Sequence, residues 1–316
     1  LFFEGSEKKI EIIFKPSAPN LRALGKPFWE DVVWASGAKI LSQVSNEHMD
    51  AYLLSESSLF VYDRYLVMIT CGRTRLIQAA KKILSVIKPQ HIEAFFYERK
   101  NEVFPQYQPT DFFEDLRKLN KWFKGQALRF GQEDEHHLLL FSTDQNYVPA
   151  KDDHTMEILM HGVLPQRIEM FRRENVPLAR DNAKQLAQVQ SLVKGQIDDH
   201  IFDPCGYSLN AIDGPYYYTI HVTPEKIGNY TSFETDACKP EEQFELASRV
   251  VDFFQPASFD LVLFNSQPVG EMTFGNYVLK NRYQQNLNSG YCTQYYNYYK
   301  PQKETQPAFL LQEMDI

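Results

Sequence analysis

The chain has 316 residues, 33 of them basic and 41 acidic, for a formal charge of −8, and 43% of it is apolar. That composition excludes disordered, collagen-like and coiled-coil chains, and it allows one large domain or two halves with a core each. The acid excess argues against a nucleic-acid groove, which needs clustered Lys and Arg. No apolar run approaches the roughly 18 residues of a spanning helix, so a membrane is not an expected partner either.

With 23 Phe, 18 Tyr and 3 Trp, aromatic residues make up 14% of the chain, which favours strands because bulky rings suit pleated surfaces. The cysteines Cys71, Cys205, Cys238 and Cys292 are too widely spaced for a zinc pattern or a small disulfide framework. No metal is expected, and the setting reads as reducing and cytoplasmic. The first residue is Leu1 rather than Met, so the native start is expected to be missing. Asn229-Tyr230-Thr231 spells a glycosylation sequon, read as coincidence in a chain without secretory features.

Period-two alternation predicts strands over Lys9–Phe14, Ala51–Leu54, Tyr65–Thr70, Ile92–Tyr97, His137–Phe141, Tyr216–Val222 and Phe259–Phe264. Helical spacing predicts helices over Arg73–Ile87, Thr110–Phe123, with Thr110 as N-cap, and Pro240–Phe254, opening on Pro240-Glu241-Glu242. Many strands and few helices give an α+β class with mostly antiparallel sheets. The polar stretch Asp144–Asp153 divides the chain into halves of about 1–150 and 151–316.

Those halves share spacings. Ser58-Leu59 is followed by a turn at Asp63 and then by Cys71; Ser208-Leu209 is followed at the same intervals by a turn at Asp213 and then by His221. Ile10-Glu11-Ile12 likewise parallels Met156-Glu157-Ile158. The spacings predict an internal duplication with Cys71 and His221 at corresponding strand ends.

On pattern alone, Ser55-Glu56-Ser57-Ser58 between apolar runs reads as a solvated turn. It co-occurs, however, with Phe2-Phe3-Glu4-Gly5-Ser6-Glu7, Thr70-Cys71-Gly72, Phe202-Asp203-Pro204-Cys205-Gly206-Tyr207-Ser208 and Thr219-Ile220-His221-Val222-Thr223-Pro224-Glu225. In this order the five segments resemble the eukaryotic S-adenosylmethionine decarboxylases, pyruvoyl-dependent lyases that make the aminopropyl donor for spermidine and spermine synthesis. The resemblance runs from Phe3 to about Phe264 and weakens in the Tyr-rich tail. It implies a single four-layer αββα sandwich over 1–316, with two mostly antiparallel sheets, helices on the outer faces and internal duplication.

The resemblance also implies a proenzyme. Ser57 attacks the Glu56 carbonyl, the resulting ester is eliminated, and the chain separates into 1–56 and 57–316 with a pyruvoyl cofactor at position 57. That group forms a Schiff base with S-adenosylmethionine and serves as the electron sink for decarboxylation. By the same resemblance His221 is the base for self-cleavage, a role suited to an ordinary pKa of about 6.5. Ser208 is the hydrogen-bonding partner that holds the strained intermediate. Cys71 protonates the carbanion, since a thiol with an ordinary pKa of about 8.5 is mostly protonated at neutral pH. Glu4 and Glu7 support decarboxylation. Phe3 and Phe202 sandwich the adenine, Leu54 and Glu56 contact the substrate, and Glu225 accepts from both ribose hydroxyls.

Animal members hold putrescine in a buried acidic cluster, and Glu11, Asp153, Glu157 and Glu234 match it, with Thr155 and Arg99 nearby. Two positions depart: Ile69 stands where those enzymes have lysine, and Glu98 where they have serine. The formal site charge therefore changes by −2 and must be offset. Weak or altered putrescine stimulation is expected. Family members occur as homodimers, monomers, or heterodimers with an inactive paralogue, and all three remain open. The alternative to an enzyme is a regulatory paralogue or a poorly active subunit that needs a partner chain, although such a subunit has no need to keep Ser57, Ser208, His221 and Cys71 together.

Overall fold

The structure, a computed structural model, describes residues 2–172 and 181–302. Its first half contains β1 (Lys8–Phe14), α1 (Gly25–Ser36), β2 (Ile40–Ser45), β3 (Met49–Leu54), β4 (Ser57–Tyr62), β5 (Tyr65–Thr70), α2 (Leu76–Val86), β6 (Ile92–Lys100), α3 (Phe112–Trp122), β7 (Gly125–Phe130) and β8 (Leu138–Thr143). The second contains β9 (Thr155–His161), α4 (Pro165–Ile168), α5 (Asp181–Gln190), β10 (Gln196–Ile201), β11 (Tyr207–Asp213), β12 (Tyr216–Thr223), β13 (Tyr230–Thr235), α6 (Gln243–Phe254), β14 (Ser258–Asn265), β15 (Val278–Asn286) and β16 (Cys292–Tyr299).

The strands form two eight-stranded antiparallel sheets, ordered β2-β3-β4-β5-β1-β6-β8-β7 and β10-β11-β12-β13-β9-β14-β16-β15. Adding eight to each strand number of the first sheet gives the second, so the topology occurs twice. On β1, Ile10, Ile12 and Phe14 pack outward with Trp29 and Val33 of α1, Ile83 of α2 and Leu119 of α3. Met156, Ile158 and Met160 of β9 do the same with Ala247, Val250 and Phe254 of α6. Successive side chains point to opposite faces, so the alternate residues meet between the sheets. There Phe96, Val262 and Tyr295 form one apolar cluster, and Phe60, Ile69 and Tyr217 form another. These four layers are the αββα sandwich expected from the sequence.

The duplication is real, but its register differs from the spacing. Strand order makes β9 the counterpart of β1, as the Ile10 and Met156 segments suggest. It makes β11–β12 the counterpart of β3–β4, whereas the Asp63 turn joins β4 to β5. The shared Ser-Leu spacing is therefore a coincidence of hairpin length, and Cys71 and His221 are not at corresponding strand ends. The N-cap of α3 is Asp111, not Thr110. Asp111 accepts from the Glu114 amide at 2.7 Å, and Glu114 accepts from the Asp111 amide at 3.3 Å. Thr110 instead donates to Asp115 at 3.1 Å. Helix α6 begins at Gln243, after Pro240-Glu241-Glu242.

Candidate active site

The Ser55-Glu56 turn joins β3 to β4, and Leu54 pairs with Ser57 across that hairpin. The solvated-turn reading fails at its last two positions, because Ser57 is 1% exposed and Ser58 is fully buried. Ser57 has a φ of +131°, a left-handed value that a side chain adopts only when its surroundings impose it, at about 1–3 kcal/mol. Its hydroxyl lies 3.2 Å from His221 Nδ1. The preceding carbonyl, that of Glu56, accepts from the Cys71 amide at 2.9 Å and from Cys71 Sγ at 3.5 Å.

His221 comes from β12 in the opposite sheet, on the same inner face as Thr219 two residues earlier. Its Nδ1 is 2.7 Å from Glu7 Oε1, and Glu7 is held in turn by Ser232 Oγ at 2.7 Å and Tyr230 OH at 3.2 Å. Its Nε2 is 2.8 Å from Ser58 Oγ and 3.0 Å from Thr219 Oγ1. Ser208 is the cross-strand neighbour of His221 in the β11–β12 ladder.

These groups border a cavity of about 400 Å³ lined by Phe3, Glu56, Ser57, Cys71, Phe202, Ser208, His221 and Glu225, among others. Phe3 is 37% exposed at its mouth, and its amide donates to Glu225 Oε1 at 2.9 Å. Burial, with Glu56 and Glu7 adding to it, pushes the Cys71 thiol well up. Burial likewise raises the Glu56 carboxyl to about 7, against the pull of Lys8, and leaves its Oε2 without a partner. Lys8 is itself buried, lowered to about 8 by burial and by Arg99, and donates to the Gly72 carbonyl at 3.1 Å.

Two expected residues stand apart from the cavity. Glu4 is buried and accepts from the amides of Phe104 at 3.0 Å and Ser6 at 3.4 Å, so it ties down neighbouring backbone. Leu54 packs its side chain outward in the helix-covered core, leaving only backbone near the site. Among the described residues, no group of three His, Cys, Asp or Glu side chains is placed to hold a metal ion.

The acidic cluster lies between the sheets, but two lysines missed in the sequence fill its centre. Lys9 Nζ is 2.8 Å from Glu157, 2.9 Å from Glu234, 3.6 Å from Glu11 and 3.9 Å from Glu98. Lys100 Nζ is 2.7 Å from both Glu98 and Glu157. Burial alone would raise the Glu157 carboxyl, but Lys100 and Lys9 outweigh it and hold that group low. Glu11 is raised to about 8, chiefly by burial. Asp153 accepts from Tyr291 at 2.6 Å and Tyr147 at 3.2 Å, and with Thr155 it borders a separate cavity of about 280 Å³. Arg99 does not join this cluster. Alternation along β6 sends Glu98 and Lys100 inward and Arg99 outward, to Glu102 at 2.6 Å and Asp115 at 3.2 Å. The Asn229 sequon is occupied structurally, since the Asn229 side chain accepts from the Val163 amide at 2.7 Å.

The family described as adenosylmethionine decarboxylase matches residues 1–308. The chain belongs to that family. The match reaches well past Phe264, so the Tyr-rich strand β16 falls inside the family region. A Dictyostelium discoideum S-adenosylmethionine decarboxylase proenzyme is 33% identical, covering 96% of this chain and 87% of its own length. One from Xenopus laevis is 34% identical, covering 84% of each. A crystal structure of a Trypanosoma brucei AdoMetDC-delta26 monomer superposes with a TM-score of 0.58 at 23% identity, covering 77% of this chain and 99% of that one, and supports the fold. The enzyme class expected from the sequence, a decarboxylase of S-adenosylmethionine, is the class of this family.

Proposed function

We propose that the chain cleaves itself between Glu56 and Ser57 and then decarboxylates S-adenosylmethionine with a pyruvoyl group at position 57, supplying an aminopropyl donor for polyamine synthesis. The observation that carries this reading is the strained Ser57, with its hydroxyl on His221 and the Glu56 carbonyl on Cys71. The Ser57 oxygen bonds to the Glu56 carbonyl carbon, the C–N bond breaks, and an ester replaces the peptide. The hydroxyl proton leaves toward the His221–Glu7 pair. Negative charge building on the Glu56 oxygen meets the Cys71 amide and thiol, as hydrogen-bond donors aimed at a developing oxyanion should. Ser208, in the lining of the same cavity and paired across the ladder with His221, is the further donor that holds the intermediate. The departing Ser57 nitrogen takes up a proton from the His221–Glu7 pair, and loss of the Ser57 α-hydrogen to His221 then expels residue 56 as a carboxylate. The dehydroalanine left at position 57 tautomerises to an imine, which water hydrolyses to the pyruvoyl group with release of ammonia.

The residues present fit a pyruvoyl group, because position 57 opens into a cavity with a protonated thiol beside it and two phenylalanines at its edge. That group supplies an electrophilic carbonyl as electron sink. Phe3 and Phe202 bind the purine, Glu225 binds the ribose diol, and Cys71 delivers a proton to the substrate carbon. A reducing, cytoplasmic compartment suits a chain in which no disulfide joins the cysteines among the described residues.

We further infer that Lys9 and Lys100 supply within the fold the positive charge that a diamine supplies in animal relatives, so that activity does not require putrescine. Release of carbon dioxide from carboxyl-labelled S-adenosylmethionine, abolished by borohydride in the presence of substrate, tests the overall reading. Release that survives the reductant would point to a different electron sink.

A further inference from the structure

The carbonyl oxygen of Tyr52 can only accept a hydrogen bond, and Asn210 Nδ2 lies 3.1 Å from it. That contact fixes the direction of the Asn210 amide and leaves Oδ1 as an acceptor. Ser58 Oγ is 2.6 Å from Asn210 Oδ1, and Thr219 Oγ1 is 3.2 Å from it. A hydroxyl has one proton, so with that proton directed at Asn210, the shortest of its contacts, the Ser58 oxygen offers only lone pairs to its other neighbours. These are Thr219 Oγ1 at 3.2 Å, whose own proton is directed at Asn210, and His221 Nε2, 2.8 Å away. Nε2 is therefore the donor in that contact. Thr219 Oγ1, 3.0 Å from the same nitrogen, adds a second acceptor. Ser58, Asn210 and Thr219 are all essentially buried, so water does not compete for these bonds.

We propose that the Tyr52–Asn210–Ser58 chain, with Thr219 beside it, holds a proton on His221 Nε2 and confines proton exchange by this residue to Nδ1, the nitrogen facing Ser57 and Glu7. The proposal deepens the reading of His221 as the base for Ser57 and rests on it. With the opposite tautomer, Nδ1 would carry the fixed proton and present a donor to Ser57 at 3.2 Å. The 2.7 Å contact between Nδ1 and Glu7 needs one bridging proton, so the mobile proton of the site lies on the Ser57 side of the ring while the Nε2 proton stays in place. Asn210, Ser58 and Thr219 are positioning residues that act through the imidazole. The arrangement needs a hydroxyl on each sheet, Ser58 on β4 and Thr219 on β12, with an amide from β11 between them. It can therefore form only when the two halves have packed.

Nitrogen NMR of the full chain labelled at the histidine rings tests this directly, with the His221 signals identified by their loss in His221→Gln. The proposal expects a proton-bearing Nε2 across neutral pH. Asn210→Leu frees the Ser58 and Thr219 hydroxyls to donate to Nε2, which moves the fixed proton to Nδ1 and slows self-cleavage on the order of 10²-fold. Asn210→Asp keeps an acceptor for both hydroxyls and restores the parent signature. Should Asn210→Leu fail to fold, Ser58→Ala combined with Thr219→Val removes both committed hydroxyls with little volume change and shifts the Nε2 signal toward the unprotonated value. An unprotonated Nε2 in the parent, or the same signal in all variants, overturns the proposal. A parent with protonated Nε2 that never cleaves supports the tautomer assignment and removes the self-cleavage reading instead.

Discussion

Lys9 and Ile69 face each other across the β1–β5 ladder, and both side chains point between the sheets. The ammonium group absent at position 69 is therefore present one strand away, at the centre of the acids it must balance. Lys9 is raised well above its ordinary value because Glu157, Glu234, Glu98 and Glu11 outweigh the penalty of burial. Its charge is thereby fixed.

It follows that putrescine stimulates decarboxylation less than about twofold at saturating diamine. Lys9→Met leaves three or more carboxylates facing one remaining ammonium group, so the variant should become diamine-dependent, or lose stability by about 3–5 kcal/mol, as removal of one member of a buried pair does. Initial rates with and without putrescine, and a urea midpoint for each chain, check this. Strong stimulation of the parent, abolished by Asp153→Asn, contradicts the built-in charge.

Cys71 is the second residue on which the account turns. Its thiol is kept protonated by burial, and the shorter of its two contacts with the Glu56 carbonyl comes from the amide, which a substitution at this position keeps. Cys71→Ala should therefore still cleave, but its turnover should fall on the order of 10²-fold or more. A larger share of turnovers should then end in protonation at the wrong carbon, with transamination of the cofactor. Mass analysis of the large fragment after a fixed number of turnovers measures that share, and an unchanged share would remove Cys71 as the proton donor.

Gly72 has a φ of +63°, and a Cβ there would lie 2.9 Å from both Glu56 Oε2 and the Phe3 ring. Gly72→Ala should cost about 1–2 kcal/mol from the left-handed backbone, and it should also displace Phe3. The larger effect expected is a KM increase of about tenfold with a smaller change in kcat, read from steady-state kinetics. A change confined to stability would show that Phe3 does not clamp the substrate.

Stability should decline as pH rises. Glu11 and Asp236 are each raised to about 8, mainly by burial, against ordinary carboxylate values near 4. Between those limits the folded chain holds protons that the unfolded chain has released, so unfolding free energy falls with increasing pH, by up to about 1.4 kcal/mol per pH unit for each group. Glu11→Gln removes one group from the balance and should flatten the slope of the urea midpoint between pH 6 and pH 8. An unaltered slope would place the titrating groups elsewhere.

Sequence showed the strands whose alternation is clean, such as β5 at Tyr65–Thr70, and the amphipathic helices α2, α3 and α6. It missed β10, whose Gln196-Ile197-Asp198-Asp199-His200-Ile201 is half-polar, and β15, an edge strand with little buried surface, because neither carries the pattern of a packed face. At the site, the residues in motifs were legible. Asn210, Lys9 and the part Thr219 plays within its motif were not, since each acts through a partner more than 140 positions away in sequence or on the opposite sheet. Lys9 did leave a trace: it shares the inward face with Glu11 at a spacing of two, and a lysine flanking a buried acid on one strand face is a cue for internal charge pairing. Arg99 shows the converse, where a motif match without attention to strand parity assigned a side chain to the wrong face.

The bond that joins Glu56 to Ser57, whose backbone is held at a left-handed φ, is the one the chain is expected to break in itself. Intact-mass analysis of the purified parent and of Ser57→Ala, under denaturing conditions, tests it most directly. The account predicts that the parent separates into 1–56 and 57–316, the larger piece lacking a free amino terminus, while Ser57→Ala remains a single chain. A parent that stays whole, or breaks at any other bond, would contradict it.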